Sequence, residues 1–293
     1  MKQAYLIEAH KADLTFKTLI QMLDNIKNDI YIHMDANNES YNPEEIIKLV
    51  KFSKVFHAPR VKVSWAAFSN VEAELLLLET ALNNGHYDHY HLLSGQDLPI
   101  KTQKDIINFF EAHTGVEFVN FSSEYFIQKG MYCRQYYFFF QEILGHNRYS
   151  TTFRKVFNNL TAGLANSALL KLQKLFHLKR NQDLNLRSGS AWFSITDELA
   201  RYILSKRYWI RDRFSYTFCP DESYLQTLLI NTDFMKNIYN SENNLRFIEW
   251  EGDPHIFTID DLEKLKESEM LFARKFDASK DEQIILKIQE LYS

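Results

Sequence analysis

A chain of 293 residues is long enough for one elaborated α/β domain or two small ones. One is expected here, because no Pro/Gly linker, low-complexity tract or internal repeat divides it. With 45% hydrophobic, 15% aromatic and 25% charged residues, the composition is that of a well-cored globular protein and excludes disorder or a coiled coil; the aromatic share suits a pocket for flat ligands or a dense core. A formal net charge of -4 excludes a general nucleic-acid binder, since phosphate backbones need a basic face, but leaves room for a nucleotide-sized anion held by a few local lysines or arginines.

The first stretch, "MKQAYLIEAHKADL", has an apolar run too short and too soon interrupted for a signal peptide or a membrane span, and no later stretch reaches the roughly 18 apolar residues a span requires. Cys133 and Cys219 are too few for a disulfide scaffold and lack metal-ligand spacing. A soluble cytoplasmic protein in a reducing compartment is expected. The runs "AYLIEAH" (4–10), "DIYIHMDA" (29–36), "KVFHA" (54–58) and "HYHLLSG" (89–95) read as strands separated by stretches of helical period, which predicts a largely parallel sheet covered on both faces. In "SNVEAELLLLETALNNG" the spacing of Ser69 and Glu72 predicts a capping box, Val71, Leu75, Leu78 and Leu82 share one face, and Gly85 ends the helix. Thr102 with Asp105, and Thr258 with Asp261, predict two more capped starts. "EFVNFS" (117–122), "SAWFSI" (190–195) and "LRFIEW" (245–250) read as further strands, with helices from Thr196 and from "CPDESYLQTLLI" and two at the C-terminus. Between them the aromatic and then basic segment ending "LLKLQKLFHLKR" is a flap or an insertion. It reads either as an amphipathic surface resting on anionic lipid through 154–180 or as a solvated helix covering the core.

Ligands bind at strand ends in an α/β sheet, where the chain turns and helix N-termini offer unpaired N–H groups. Asp35 of "HMDA" and Asp97 of "SGQD" stand at such ends, either facing a ligand or capping their turns. Trp65 precedes small residues that let backbone approach a ligand, or is simply a core tryptophan. In "CPDESYLQTLL", Pro220 suits a first helical position and places Asp221 and Glu222 in the first turn, pointing in different directions. Arg246, near the start of a strand, and the Arg274-Lys275 pair, in a loop after a helix, would form a pyrophosphate clamp if they converged. No D-x-D occurs, so the short acidic motif that many nucleotide-sugar enzymes use to hold Mn²⁺ or Mg²⁺ is absent.

In order, "AYLIEAHK", "IYIHMDA", "VSWAAFSNVEAELLLLETAL", "HLLSGQDLPIKT", "GSAWFSIT", "CPDESYLQTLL", "LRFIEW" and "LFARKFD" resemble the core-2/I-branching β-1,6-N-acetylglucosaminyltransferase and peptide O-xylosyltransferase family, glycosyltransferase family 14. The resemblance implies a GT-A type α/β fold, a nucleotide-binding mixed sheet flanked by helices with a C-terminal acceptor-binding part. It implies inverting, metal-independent transfer from a UDP-sugar, N-acetylglucosamine for choice or else xylose, glucose or glucuronic acid, to a saccharide or lipid-linked saccharide; a non-catalytic carbohydrate-binding homologue is the alternative. Carried over by position, Glu222 is the catalytic base, Asp35 contacts the uridine, Arg246 and Lys275 face the diphosphate, and Trp65 and Asp97 lie at the donor site. Acceptor candidates are Glu117, Arg134, Tyr136, Ser190 and Trp192. "SWAAF" departs from the family's commoner W-G-G. The implied division is a nucleotide-binding half over 1–125, a variable acceptor or flap segment over 126–188, and a catalytic and diphosphate-binding half over 189–293. Vertebrate members carry a membrane anchor and several disulfides; their absence here leads to the expectation of a bacterial cytosolic form serving surface polysaccharide synthesis.

Overall fold

The computed structural model describes residues 1–123, 132–144 and 152–293, the side chains of 132–133, 144 and 152–162 apart. Cys133, Arg154 and Lys155 therefore have side chains outside the described set. In chain order the first elements are β1 (Gln3–Ala9), α1 (Leu14–Met22), β2 (Asn28–Met34), α2 (Pro43–Ile47), β3 (Lys54–His57), α3 (Phe68–Asn84) and β4 (His89–Ser94). β5 (Leu98–Pro99), α4 (Gln103–Ala112) and β6 (Phe118–Val119) follow, then α5 (Tyr132–Tyr136), α6 (Gln141–Leu144), α7 (Thr152–Leu175) and β7 (Phe193–Thr196). The rest comprises α8 (Asp197–Ser205), α9 (Arg207–Phe214), α10 (Tyr224–Leu229), β8 (Arg246–Ile248), β9 (Trp250–Glu251), β10 (Asp253–Pro254), α11 (Leu262–Glu267), β11 (Phe272–Arg274) and α12 (Glu282–Tyr292).

β1, β2 and β4 are buried almost throughout, which is why their sequences read as near-continuous apolar runs rather than alternating ones. They form the centre of a six-stranded sheet of order β3-β2-β1-β4-β7-β6. β3, β2, β1 and β4 pair in parallel, and β7 runs against β4 and β6. The expected mixed α/β sheet flanked by helices is present. Alternate residues of β1 enter two cores. Tyr5 and Ile7 pack with Phe16, Leu19, Ile285 and Ile288 on the α1/α12 side, while Ala4 and Leu6 pack with Leu75, Leu78, Leu199 and Ile203 on the α3/α8 side. The register pairs Ala9 with Met34 and Glu8 with Ser94, so three parallel strands stop level with one another. That common edge is the place where ligands collect in such sheets.

A second sheet of three short strands, β5-β11-β8, crosses this end. Its formation puts Arg274 at the end of β11, not in a loop as expected. Thr102 accepts the N–H of Asp105, and Thr258 and Asp261 form a reciprocal capping box, both as predicted. The predicted box at Ser69 is not formed. α3 starts earlier, behind Ala67, and Ser69 Oγ accepts the N–H of Ser64 while Glu142, from α6, accepts the N–H of Ser69 at 2.6 Å. A carboxylate supplied by tertiary structure replaces the local one. The strands expected at 117–122 and 190–195 shrink to Phe118–Val119 and Phe193–Thr196.

Candidate active site

An open cleft lies at the level ends of β1, β2 and β4, lined by residues including Glu8, His10, His33, Asp35, Val63, Asn70, Ser94 and Trp192. Its floor is tightly built. Gly95 donates its N–H to Glu8 O at 2.8 Å, and a Cβ there would stand 2.9 Å from the Cβ of Ala9, so the "SGQD" turn can close over β1 only with glycine at that point.

Asp35 directly follows β2 and is buried. Its Oδ1 accepts N–H groups from Asn37 and Val63 and the Asn37 side-chain amide, whereas the buried Oδ2 has no hydrogen-bond partner among the described residues. A buried carboxylate oxygen left with spare acceptor capacity on a cleft wall is a ready partner for an N–H or O–H of a ligand. Beside it, burial pushes His33 down to about 4, so its imidazole is neutral and Nε2 accepts the N–H of Val61.

Asp97 is fully buried and does not line the cleft. Its carboxylate accepts the N–H of Ser94 at 2.9 Å and the Ser94 hydroxyl at 2.5 Å, and stands 3.6 Å from Arg274 Nε. It therefore locks the turn that presents Ser94 and anchors Arg274, a positioning role. Arg274 in turn sits over Trp192, its Cζ 4.2 Å from the ring centroid. Lys275 follows, half-buried, its N–H donated to His255 O.

Arg246 has a different neighbourhood from the one a diphosphate contact needs. It is 6% exposed. Nη1 donates to Ser194 Oγ and Asn244 O, and Nη2 donates to Leu92 O at 3.0 Å and Phe193 O at 2.5 Å. The β4/β7 ladder ends at His91 and Ser194, so the guanidinium satisfies the next carbonyl on each strand just where the backbone pairing stops. Burial pushes its pKa down to about 9 against the pull of Asp97. The expected clamp of Arg246 with Lys275 meets a buried Arg246 whose guanidinium is engaged by protein acceptors, while Arg274 and Lys275 follow one another at the end of β11.

Glu222 stands at the end of a single 3-10 turn, Pro220–Glu222. It is half-buried, with Oε2 3.4 Å from Arg134 Nη1. Burial and then the charge of Asp221 push its carboxyl up to about 7, against the pull of Arg134. The turn is held by backbone in uncommon conformations. Ala66 has φ 61°, and Cys219 has φ 51°. Cys219 donates its N–H to Ala66 O at 3.0 Å. Two non-glycine residues in the left-handed region, bonded to each other beside the candidate base, carry a cost of order 1 kcal/mol each that the surrounding packing must offset. Gly189 donates its N–H to Glu222 O, and a Cβ on it would fall 1.9 Å from Asn120 O, so no side chain fits there.

Asp221, the neighbouring carboxylate, acts on a second acid besides Glu222. Its charge and that of Glu8 act on Glu74, a buried acid in α3 whose Oε2 accepts the Tyr224 hydroxyl at 2.6 Å. Burial and these like charges hold Glu74 well above the usual carboxylate range. Sequence reading missed Glu74, although its position three residues after Val71 and one before Leu75 already placed a carboxylate in an apolar stripe. It missed Glu8 and His10 too, whose signal was polar residues at the end of an apolar strand.

Of the acceptor candidates, Arg134 meets Glu222 and Trp192 lines the cleft. Ser190 is a turn residue: its hydroxyl accepts the N–H of Trp192 and its carbonyl the Gln226 amide. Tyr136 packs near Lys179, whose ammonium is 5.9 Å from its ring. Glu117 does not belong to the site. It is buried beneath Thr196, accepting its N–H and hydroxyl, and Thr196 pairs with His89 at the end of β4 opposite the cleft. Trp65 is exposed and set edge-on to Phe218, outside the residues that line the cleft. Among the described residues, one group has metal-ligand character, Glu249, His255 and Asp261, outside the cleft; the Lys264 ammonium stands 2.8 Å from Glu249 and 3.9 Å from Asp261. No helix among the described residues is long and apolar enough to cross a membrane.

The family model described as "Core-2/I-Branching enzyme" matches residues 3–270. The human "N-acetyllactosaminide beta-1,6-N-acetylglucosaminyl-transferase" is 24% identical, covering 94% of this chain and 68% of its own length. "Xylosyltransferase oxt" of Drosophila melanogaster is 23% identical, covering 89% of this chain and 30% of its own length. A "Probable beta-1,3-galactosyl-O-glycosyl-glycoprotein beta-1,6-N-acetylglucosaminyltransferase 7" of Sus scrofa is 30% identical over 112 residues, 37% of this chain and 26% of its own length. The chain thus spans under a third of the length of the last two. Mouse xyloside xylosyltransferase 1 in its apo form aligns over 93% of this chain and 97% of its own, at 7% identity and a TM-score of 0.37, too distant to carry weight.

Proposed function

The chain belongs to the Core-2/I-branching enzyme family, and from that premise we propose that it is an inverting glycosyltransferase moving a sugar from a UDP-sugar to a saccharide hydroxyl without a metal ion. The observation that carries this reading is Glu222: a half-buried carboxyl raised to about 7 and held beside Arg134. A base works best when its pKa lies near the working pH, because it is then both ionised and able to take a proton. Glu222 accepts the proton of the acceptor hydroxyl as that oxygen bonds to the anomeric carbon from the face opposite the diphosphate. The bond from that carbon to the diphosphate oxygen breaks with its electron pair, and UDP leaves. Lys275 and Arg274 meet the growing negative charge, the work a divalent ion does elsewhere. Asp35, with its open Oδ2, takes a donor group of the nucleoside.

In this reading residues 1–125 form the donor half, 189–293 supply the base and the phosphate contacts, and the segment between them, which brings Arg134 to Glu222, faces the acceptor. The transferred sugar is N-acetylglucosamine in a β-1,6 linkage, with xylose the second candidate because both appear in the names of similar proteins. Incubation with a panel of UDP-sugars and saccharide acceptors, followed by UDP release and product anomeric configuration, tests the proposal. UDP release coupled to a β-linked product from an α-linked donor supports it; retention of configuration contradicts it. Since Glu222 must be ionised to act and its pKa is raised, kcat/KM falls about tenfold per unit as pH drops below about 7. A rate flat from pH 5 to 8 would remove Glu222 from the role.

A further inference from the structure

We propose that the outward face of α7 and the turn after it form a docking surface for an anionic lipid bilayer. The orientation of the helix is fixed from its inner side. Gln173 is buried and makes a two-way pair with the backbone of Phe138, donating to its carbonyl at 3.1 Å and accepting its N–H at 2.8 Å. Arg180 closes the far end by donating to Asp212 O and Arg213 O while stacking on Phe138. With Gln173 turned inward, Leu164, Leu172 and Leu175 are turned outward, 65%, 52% and 70% exposed, and Phe176 and Leu178 continue the surface at 67% and 52%.

At 100° per residue, Leu164, Leu175 and Leu172 fall within one quadrant of the helix. Lys171 and Lys174 border that stripe, and Lys179 follows it; all three are exposed. Between Glu142 and Asp183 the sequence holds seven lysines and arginines and no carboxylate, in a chain whose net charge is -4. An apolar ridge edged with ammonium groups and free of acid supplies both signals that peripheral membrane binding requires, acyl-chain contact and attraction to anionic headgroups. Because α7 has no window apolar enough to span a bilayer, it lies along the surface. The neighbouring α5 and α6 also reach the candidate site, through Arg134 to Glu222 and Glu142 to the first turn of α3, so the docking surface and the cleft share a scaffold. The proposal stands independently of the transfer reaction.

The test is sedimentation of the full chain with vesicles of phosphatidylcholine alone or mixed with phosphatidylglycerol, at low and high salt. Co-sedimentation with the anionic vesicles, about tenfold weaker with the neutral ones and weakened by salt, is expected. Leu172→Ser/Leu175→Ser and, separately, Lys171→Gln/Lys174→Gln/Lys179→Gln should each lose most of it while circular dichroism stays unchanged, since every side chain altered is exposed. No binding to anionic vesicles, or binding indifferent to both sets of substitutions, overturns the proposal. So does a face that self-associates without lipid and loses that association in the leucine variant.

Discussion

Glu222→Gln should lower turnover by about 10²-fold or more while leaving UDP affinity within about twofold. The substitution keeps the size of the side chain and an acceptor oxygen toward Arg134, and it removes only the capacity to take a proton. Burial first and then the charge of Asp221 hold the Glu222 carboxyl up. One carboxylate next to another is harder to ionise, and this together with partial burial moves Glu222 into the range where it titrates near neutral pH. Asp221→Asn should therefore shift the acid limb of the pH profile downward and leave its shape unchanged. Near-normal turnover in Glu222→Gln, or lost UDP binding, would mean that the carboxylate is not the base.

Arg246→Ala has a large effect of another kind. It takes from the carbonyls of Leu92, Phe193 and Asn244 the guanidinium that donates to them, leaves the Ser194 hydroxyl with His91 alone, and opens a cavity against Phe272, over which the guanidinium lies at 5.2 Å. Leaving several buried acceptors without a donor costs about 1–3 kcal/mol each, together a large part of a typical domain's stability. Chemical denaturation should show that loss, and UDP affinity of the protein that remains folded should change little. Lys275→Ala should show the opposite pattern, stability near wild type and UDP affinity weakened about tenfold or more. If Arg246→Ala instead folds normally and loses UDP, its guanidinium contacts the diphosphate after all, as its sequence position first suggested.

These two arginine and lysine positions illustrate what could be read from the sequence and what could not. β1, β2 and β4 were legible because strands buried on both faces leave long apolar runs, and Thr102 and Thr258 because a capping box is local chemistry. Position within "LRFIEW" placed Arg246 near the site but could not reveal that the β4/β7 ladder ends one residue short and draws the guanidinium inward. Ser69 misled for a similar reason, since its competitor Glu142 lies 73 residues away. β5 and β11, two and three residues long, are too short to show any period, so the sheet that carries Arg274 to Asp97 was invisible. Glu117 carried no sign that Thr196 would cover it. Asp35 was singled out from its place at a strand end, and it lies in the cleft wall; Glu222 was singled out after Cys219-Pro220, and it lies beside Arg134.

Calorimetric titration of UDP into the protein, once with EDTA and once with Mn²⁺, asks whether the nucleotide needs a metal to bind. If Asp35 takes the nucleoside and Arg274 and Lys275 take the diphosphate, UDP binds with the same affinity in both. Absence of binding, or binding that appears only with Mn²⁺, would contradict a metal-free UDP-sugar site in this cleft.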